Sequence, residues 1–260
     1  MKAFVFDLDD TLLNREKRVG DKTRNTLIEV AQAGSKIIFA TSRPERAVKR
    51  FIDTELITLV TLITLNGAIL RESSTQVSRF SNLGEKAIKL IEHEELSGIV
   101  HFSVEFDGHE FASNADYTDE DLDRIQSATR DMVIPLSKIE IDRISKVAMD
   151  GLSKNITGYC DFISALGMKA IPSMDGTFLN VVDPTVDKSS TLQILLDRLN
   201  IRKQDVIVFG DDIPDIEMLK LGGLAVAMDN AKKEVKEIAD VLIGDCDNDE
   251  IGEFIKQYYP

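Results

Sequence analysis

Six short runs in this chain are too apolar to leave either face in water. KAFVF (2–6), KIIFA (36–40) and LVTLITL (59–65) lie in the first third, and VIVFG (206–210), LAVAM (224–228) and VLI (241–243) in the last. A strand that is apolar on both faces must be covered on both, and the usual solution is a parallel sheet between two layers of helices. Helical signals stand where that solution needs them. Asp21 is placed to cap a helix running through TLIEVAQA to Gly34, a residue suited to the position after a helix end. Pro44 opens another at its favoured first position. Residues 188–199 read as an amphipathic helix, with shorter ones over 215–221 and EVKEIAD (234–240). The two ends of the chain therefore predict an α/β fold with a doubly wound, parallel, Rossmann-like core sheet.

The middle reads differently. IVHFSVEF (99–106) and residues 109–113, joined by Asp107-Gly108, form a hairpin pattern. Helical stretches near 118–131 and 153–166 flank the strand ISKVAMD (144–150). MKAIPS and TFLNVVD then enclose the turn Met174-Asp175-Gly176. This is an α+β pattern. In a chain of 260 residues, the economical division is a core of residues 1–79 and 184–260 with an α+β cap, 80–183, inserted between its halves.

Charge narrows the partners. The formal net charge of −14 repels nucleic acid and anionic membrane alike, so neither is expected as a partner. An anionic substrate would need a locally cationic site. The most apolar segment, LITLVTLITL (56–65), is too short to span a bilayer and carries three threonines. Asp7 and Asp9 fall where the apolar stretch of a secretory leader would be. Cys160 and Cys246 match no metal or redox spacing and read as reduced thiols. Together these features predict a cytoplasmic location, and they leave the oligomeric state open. His93, His101 and His109 stand at no metal-ligand spacing.

The first apolar strand runs straight into VFDLDDTLLN (5–14), which places Asp7, Asp9 and Asp10 within four residues. Acidic residues after a strand are usually turn formers or caps. Here, however, carboxylates also follow VIVF, in GDDIPD (210–215), and Thr41, Ser42 and Arg43 follow KIIFA. In open α/β sheets ligands bind in the crevice beyond these strand ends. If extended geometry persists past residue 6, Asp7 and Asp9 point to one side. Carboxylates converging from two strand ends suit a hard divalent cation with oxygen ligands, Mg²⁺ above all, which offsets their repulsion.

DLDDT (7–11) resembles the DxDxT signature of the haloacid dehalogenase superfamily. ATSR (40–43) resembles its second motif, DK (187–188) its lysine motif, and GDDIPD its last acidic motif. LNGAIL (65–70), VDKSSTLQILL (186–196) and VAMDNAKKEVKEIADVL (226–242) are similar to the Cof-type subfamily of sugar-phosphate and related phosphatases. The middle segment resembles the C2-type cap in position, length and pattern. The resemblance implies a Mg²⁺-dependent phosphatase acting on small phosphorylated metabolites. Asp7 would be the nucleophile and Asp9 the acid and base. Thr41, Ser42 and Lys188 would bind the phosphoryl group. The metal would be held by the Asp7 side chain, the Asp9 backbone carbonyl and Asp211, with Asp215 as a ligand or a support for the ligands.

Two positions depart from the family pattern. Ser42 stands where glycine is usual, and Pro214 where asparagine is usual. Proline offers neither a backbone N–H nor a side-chain donor. Asn66 and Asn230 read equally well as lining a site or as turn residues, and Arg43 as meeting substrate or pairing with an acidic neighbour. The competing functions are a sugar phosphomutase of the same superfamily, marked by a need for a sugar bisphosphate activator, and a catalytically silent binding protein on the same fold. A nitrophenyl phosphate assay with and without Mg²⁺ separates these classes.

Overall fold

The computed structural model describes residues 1–73, 75–123 and 127–258. Its strands are β1 (Ala3–Phe6), β2 (Lys36–Ala40), β3 (Val60–Thr64), β4 (Ile69–Arg71), β5 (Val77–Arg79), β6 (His101–Glu105) and β7 (Phe111–Ser113). They continue as β8 (Val133–Pro135), β9 (Lys146–Asp150), β10 (Lys169–Ser173), β11 (Phe178–Val182), β12 (Val206–Gly210), β13 (Leu224–Met228) and β14 (Val241–Ile243). Two sheets result. One has the order β14-β13-β12-β1-β2-β3-β4-β5, and the other β10-β11-β9-β6-β7-β8.

All six apolar runs lie in the first sheet, parallel from β14 through β3. Period-two alternation splits their side chains between two cores. Phe4, Phe6, Phe39 and Phe209 face one side, and Ala3, Val5, Ile38 and Val208 the other. Phe6 stacks on Phe209 with ring centroids 4.6 Å apart. Helices Asp21–Gln32 and Ile251–Lys256 cover the aromatic side, and helix Lys188–Arg198 covers the other.

The antiparallel edge, β4 and β5, is an addition to the sequence reading. Val77–Arg79 is a short, largely exposed run with no apolar alternation to announce it. Capping also differs. Asp21 is the first helical residue rather than the cap, and Gly20 holds the cap position without a side chain to offer. The Asp249 carboxylate, from the far end of the chain, accepts from the amides of Lys22 and Thr23 at 2.9 and 3.0 Å instead. Pro44 likewise sits one place before the helix Glu45–Phe51.

The second sheet has its own core of residues between Leu83 and Val181. Its hairpins fall where the turn residues placed them. The helical stretch expected over 118–131 is only partly helical among the described residues. A short helix spans Asp119–Asp121, residues 124–126 lie outside the described set, and a 3-10 turn, Arg130–Met132, leads into β8. The stretch 153–166 contracts to a 3-10 turn, Thr157–Tyr159, and a helix, Cys160–Ala165. Neither cysteine is in a disulfide. Among the described residues no helix is long and apolar enough to cross a membrane.

The two sheets meet through charge. Arg46, on the helix after β2, donates from both terminal nitrogens to Glu105 of β6 at 2.7 and 2.6 Å, with both side chains almost wholly buried. The Arg46 amide also donates to the Gly108 carbonyl at 2.9 Å. Removing one member of such a pair strands the other without solvent. Arg46→Met is therefore expected to lower stability by roughly 3–5 kcal/mol in denaturant titrations, with Arg46→Met/Glu105→Leu recovering much of the loss. A single-variant loss below about 1 kcal/mol would mean that the pair is solvent-screened like an ordinary surface bridge.

Candidate active site

The ladder between β1 and β12 runs one residue past the strand. Asp7 N–H donates to Phe209 C=O at 3.1 Å, which pins Asp7 at the mouth of the core. Extended geometry ends there. The amides of Thr11 and Leu13 both turn back to the Leu8 carbonyl, and Asp10 takes φ +57°. Asp7 and Asp9 thus reach one cleft without extended geometry between them, and they answer to different partners.

After β12 the chain makes a tight turn. A Cβ on Gly210 would stand 2.8 Å from Cβ of Asp215, so only glycine lets that carboxylate fold back. Asp215 Oδ2 then accepts from the amides of Asp211 and Asp212 at 3.3 and 3.2 Å. Asp212, unassigned from sequence, caps the 3-10 turn Ile213–Asp215 by accepting from Ile213 N–H at 2.7 Å. Pro214 lies in that first turn, where an absent N–H goes unmissed.

Lys188 opens the helix Lys188–Arg198, and its surroundings turn it inward. Asp187 and Ser190 form a reciprocal cap, and Thr191 donates to the Gly67 carbonyl at 2.7 Å. Gly67 has φ +99°, and a Cβ there would lie 2.1 Å from the Asp187 carbonyl oxygen. The helix start can approach the turn after β3 only because that residue is glycine.

These supports deliver Lys188 Nζ to Asp7 Oδ1 at 2.5 Å and to Asp215 Oδ1 at 2.8 Å, all three side chains being buried. Beside them Asp211 accepts from the Thr11 hydroxyl at 2.6 Å. Carboxylate oxygens of Asp7, Asp211 and Asp215 lie within 4.8 Å of one another. Burial pushes the Asp7 carboxyl up to about 8, against the pull of Lys188 and with help from Asp215. Burial also takes Asp211 up to about 7, tempered by Thr11 and reinforced by Asp215. For Lys188, burial alone would favour the neutral amine, but Asp7 and Asp215 hold it above its ordinary value. One ammonium is too little for three carboxylates. The surplus negative charge and the wholly oxygen donor set fit a hard divalent cation.

Asp9 stands apart from that cluster. Its carboxylate accepts from Arg43 Nε and Nη2 at 2.6 and 2.7 Å, and Lys17 Nζ lies 2.9 Å away. Burial alone would raise it, but these cations hold it below the usual carboxylate range. Of the two readings of Arg43, the structure supports the acidic partner. The loop after β2 also reaches the second sheet, for the buried Lys146 Nζ donates to Ser42 C=O at 3.1 Å. Burial takes the Lys146 ammonium down to about 8.

A cleft of about 630 Å³ lies between the strand ends and the β10–β11 hairpin. Asp7, Asp9, Ser42, Lys188, Asp211 and Asp215 all line it. Thr41 does not. It is buried beneath its loop, and its hydroxyl oxygen accepts from Arg43 N–H at 3.1 Å. Asn66, at φ +60°, lines the cleft. Asn230 serves instead as a brace, donating to Asp10 C=O at 2.7 Å and accepting from Cys246 N–H at 2.9 Å. Sequence reasoning missed Lys17 and Lys146, for which no local signal exists. It also gave no role to Thr11, although the last letter of DxDxT pointed there.

A buried carboxylate at the end of the first strand, held by a lysine from the opposite half of the chain, defines a hydrolase-type centre in an α/β core. The chain belongs to the haloacid dehalogenase-like hydrolase family, whose model matches residues 4–255. The HMP-PP phosphatase of Enterobacter sp. (strain 638) is 26% identical over 265 residues, spanning 98% of this chain and 94% of that one. The 5-amino-6-(5-phospho-D-ribitylamino)uracil phosphatase YitU of Bacillus subtilis (strain 168) is 22% identical over 264 residues, spanning 98% and 96%. In fold, the chain matches a haloacid dehalogenase-like hydrolase from Bacteroides thetaiotaomicron with a TM-score of 0.85, at 22% identity over 99% of each chain.

The raised carboxyls give a pH signature. Asp7 and Asp211 have folded values above the ordinary 3.8, so the folded state resists their ionisation. Their contribution is absent below the unfolded value and becomes a full penalty above the folded one. Metal-free protein should therefore lose stability as pH rises from about 4 to about 8 on account of this pair. A divalent cation must displace the same protons. The gain in melting temperature from excess MgCl₂ over EDTA should be small near pH 6 and should grow to a plateau above about pH 8. A gain that is flat with pH would contradict this account of the cluster.

Proposed function

We propose that this protein is a Mg²⁺-dependent phosphatase of small phosphorylated metabolites, working through an aspartyl-phosphate on Asp7. The observation that carries the reading is Lys188, buried between Asp7 and Asp215 at 2.5 and 2.8 Å. It keeps the Asp7 oxygen in place and supplies the positive charge that a phosphate needs beside a carboxylate nucleophile. Relatives named as phosphatases over nearly the whole chain support the same reading.

The reading assigns the steps as follows. An Asp7 carboxylate oxygen attacks phosphorus, the ester P–O bond breaks, and the leaving oxygen takes a proton from Asp9. Water then attacks the phosphorus of the acyl phosphate, giving its proton to Asp9, and inorganic phosphate departs as the Asp7 carboxylate reforms. Arg43 and Lys17 hold Asp9 ionised in the arrangement described. A phosphate dianion entering the cleft competes for those cations and raises the proton affinity of Asp9. Lys188 and the exposed Ser42 hold the phosphoryl oxygens, while the buried Thr41 hydroxyl, outside the cleft, braces their loop by accepting from Arg43 N–H. Asp7, Asp211, Asp215 and the Asp9 carbonyl would hold Mg²⁺, which neutralises phosphate charge when bound. Residues 80–183 act as a cap over a catalytic core of 1–79 and 184–260. Their hairpin closes the cleft and excludes bulk water from it.

Asp7→Asn keeps the shape and removes the nucleophile. Hydrolysis of nitrophenyl phosphate in MgCl₂ should fall by at least about three orders of magnitude, with an unchanged circular dichroism spectrum. EDTA should abolish wild-type activity, and Mg²⁺ should restore it. Near-normal turnover by folded Asp7→Asn protein, or full activity in excess chelator, sinks the proposal.

Asp9→Asn separates the proton-transfer role. Alkyl phosphates, with poor leaving groups, should lose more activity than nitrophenyl phosphate in single-turnover measurements of aspartyl-phosphate formation. Equal losses for both classes would remove Asp9 from the first step.

A further inference from the structure

The roof of the cleft offers a charge that no described residue answers. In the β10–β11 hairpin Lys169 stands opposite Val182, and Ile171 opposite Asn180. Cross-strand partners and residues two apart share a face, and these four residues all line the cleft above the carboxylate floor. β10 is the outer strand of its sheet, so the cavity also wraps its edge at Pro172.

The cations near the floor are already engaged. Lys188 is bound by Asp7 and Asp215, and Arg43 and Lys17 are bound by Asp9. Lys169 is exposed, and no hydrogen bond or ion pair joins it to any described residue. Asp10, Asp187, Asp212 and Glu217 add to the negative charge around the same cleft. A neutral group at the far end of a substrate would tolerate that field. A second anion would be repelled everywhere except beside Lys169.

We infer that Lys169 receives a second anionic group, a carboxylate or another phosphate, at the end of the substrate remote from the transferred phosphoryl group. Asn180 hydrogen-bonds the body between the two anions, and Ile171 and Val182 cover its apolar face. The cleft, at about 630 Å³, is of a size for such a small molecule. This inference rests on the phosphatase reading of the same site and narrows its substrates to doubly anionic ones.

The test uses matched pairs: phosphoglycolate against ethyl phosphate, and a hexose bisphosphate against the hexose monophosphate. Wild-type protein should favour the doubly anionic member of each pair in KM. Lys169→Met should shrink that preference about two- to fivefold, the scale of one solvated charge pair, while Lys169→Arg retains it. A preference that is absent in the wild type, or unaltered by Lys169→Met, overturns the inference. Equal losses for both members overturn it too, since they would place Lys169 on the transferred phosphate or in the fold. Calorimetric binding of the same pairs to Asp7→Asn and to Asp7→Asn/Lys169→Met reads the preference without turnover. Failure of the phosphatase reading then shows as absent hydrolysis, and failure of this inference as the absence of a Lys169-dependent difference in affinity.

Discussion

One buried ammonium makes the rest of the arrangement tenable. Asp7 and Asp215 are almost wholly removed from water, and a carboxylate so placed without a partner costs several kcal/mol. Lys188 reaches both. In doing so it joins segments that are 181 and 27 residues away in sequence, one from each half of the core sheet. The carboxylate cluster is therefore also a seam of the fold. The seam is left short of positive charge by the neighbouring Asp211, and this imbalance distinguishes a site from a structural ion-pair network. A purely structural knot would have been neutralised within the chain.

The backbone around that knot is built to tolerate it. Gly210 and Gly67 each sit where a single extra carbon would collide, the first with Asp215 and the second with the backbone that presents Lys188. Amides of Asp211 and Asp212 turn toward the second oxygen of Asp215, so both faces of that carboxylate are answered. The departure at Pro214 becomes intelligible in the same terms. Its turn is stabilised by the reciprocal Asp212–Asp215 cap rather than by a donor at position 214.

Legibility in the sequence tracks the locality of the cause. The six core strands were readable because each is apolar on both faces, a property that needs no knowledge of neighbours. The hairpins around Asp107-Gly108 and Met174-Asp175-Gly176 were readable from their turn residues. The outermost strand β5 was not, because an exposed strand carries no hydrophobic pattern to detect. Asp21 was misread as a cap because the true cap, Asp249, arrives from the opposite end of the chain. The same division holds in the site. Asp7, Asp211, Asp215 and Lys188 announce themselves by standing at strand ends and a helix start, and the structure brings them together. Lys17 and Lys146 reach the site only through tertiary packing. Asp9 shows the limit from the other side: its position was legible, an acidic partner for Arg43 was one of two open readings, and its pairing with Lys17 was not legible.

The loop after β2 shows how the roof and the floor of the cleft are mechanically joined. Three consecutive residues face three directions. The Thr41 carbonyl accepts from the Asn66 amide, the Ser42 carbonyl accepts from Lys146 of β9, and the Arg43 guanidinium grips Asp9. Three residues on, Arg46 is locked to Glu105 of β6 in a buried, two-point pair. Charged contacts of this kind are directional and resist sliding, whereas an apolar contact of the same area would tolerate several registers. Their placement matters more than their number. Because they converge on the segment that holds Asp9, a shift of the second sheet pulls on the loop that grips that carboxylate. The second sheet is thus tied to the cleft through the floor's own loop as well as through the hairpin above it, and the covalent link between the two sheets need not carry that coupling.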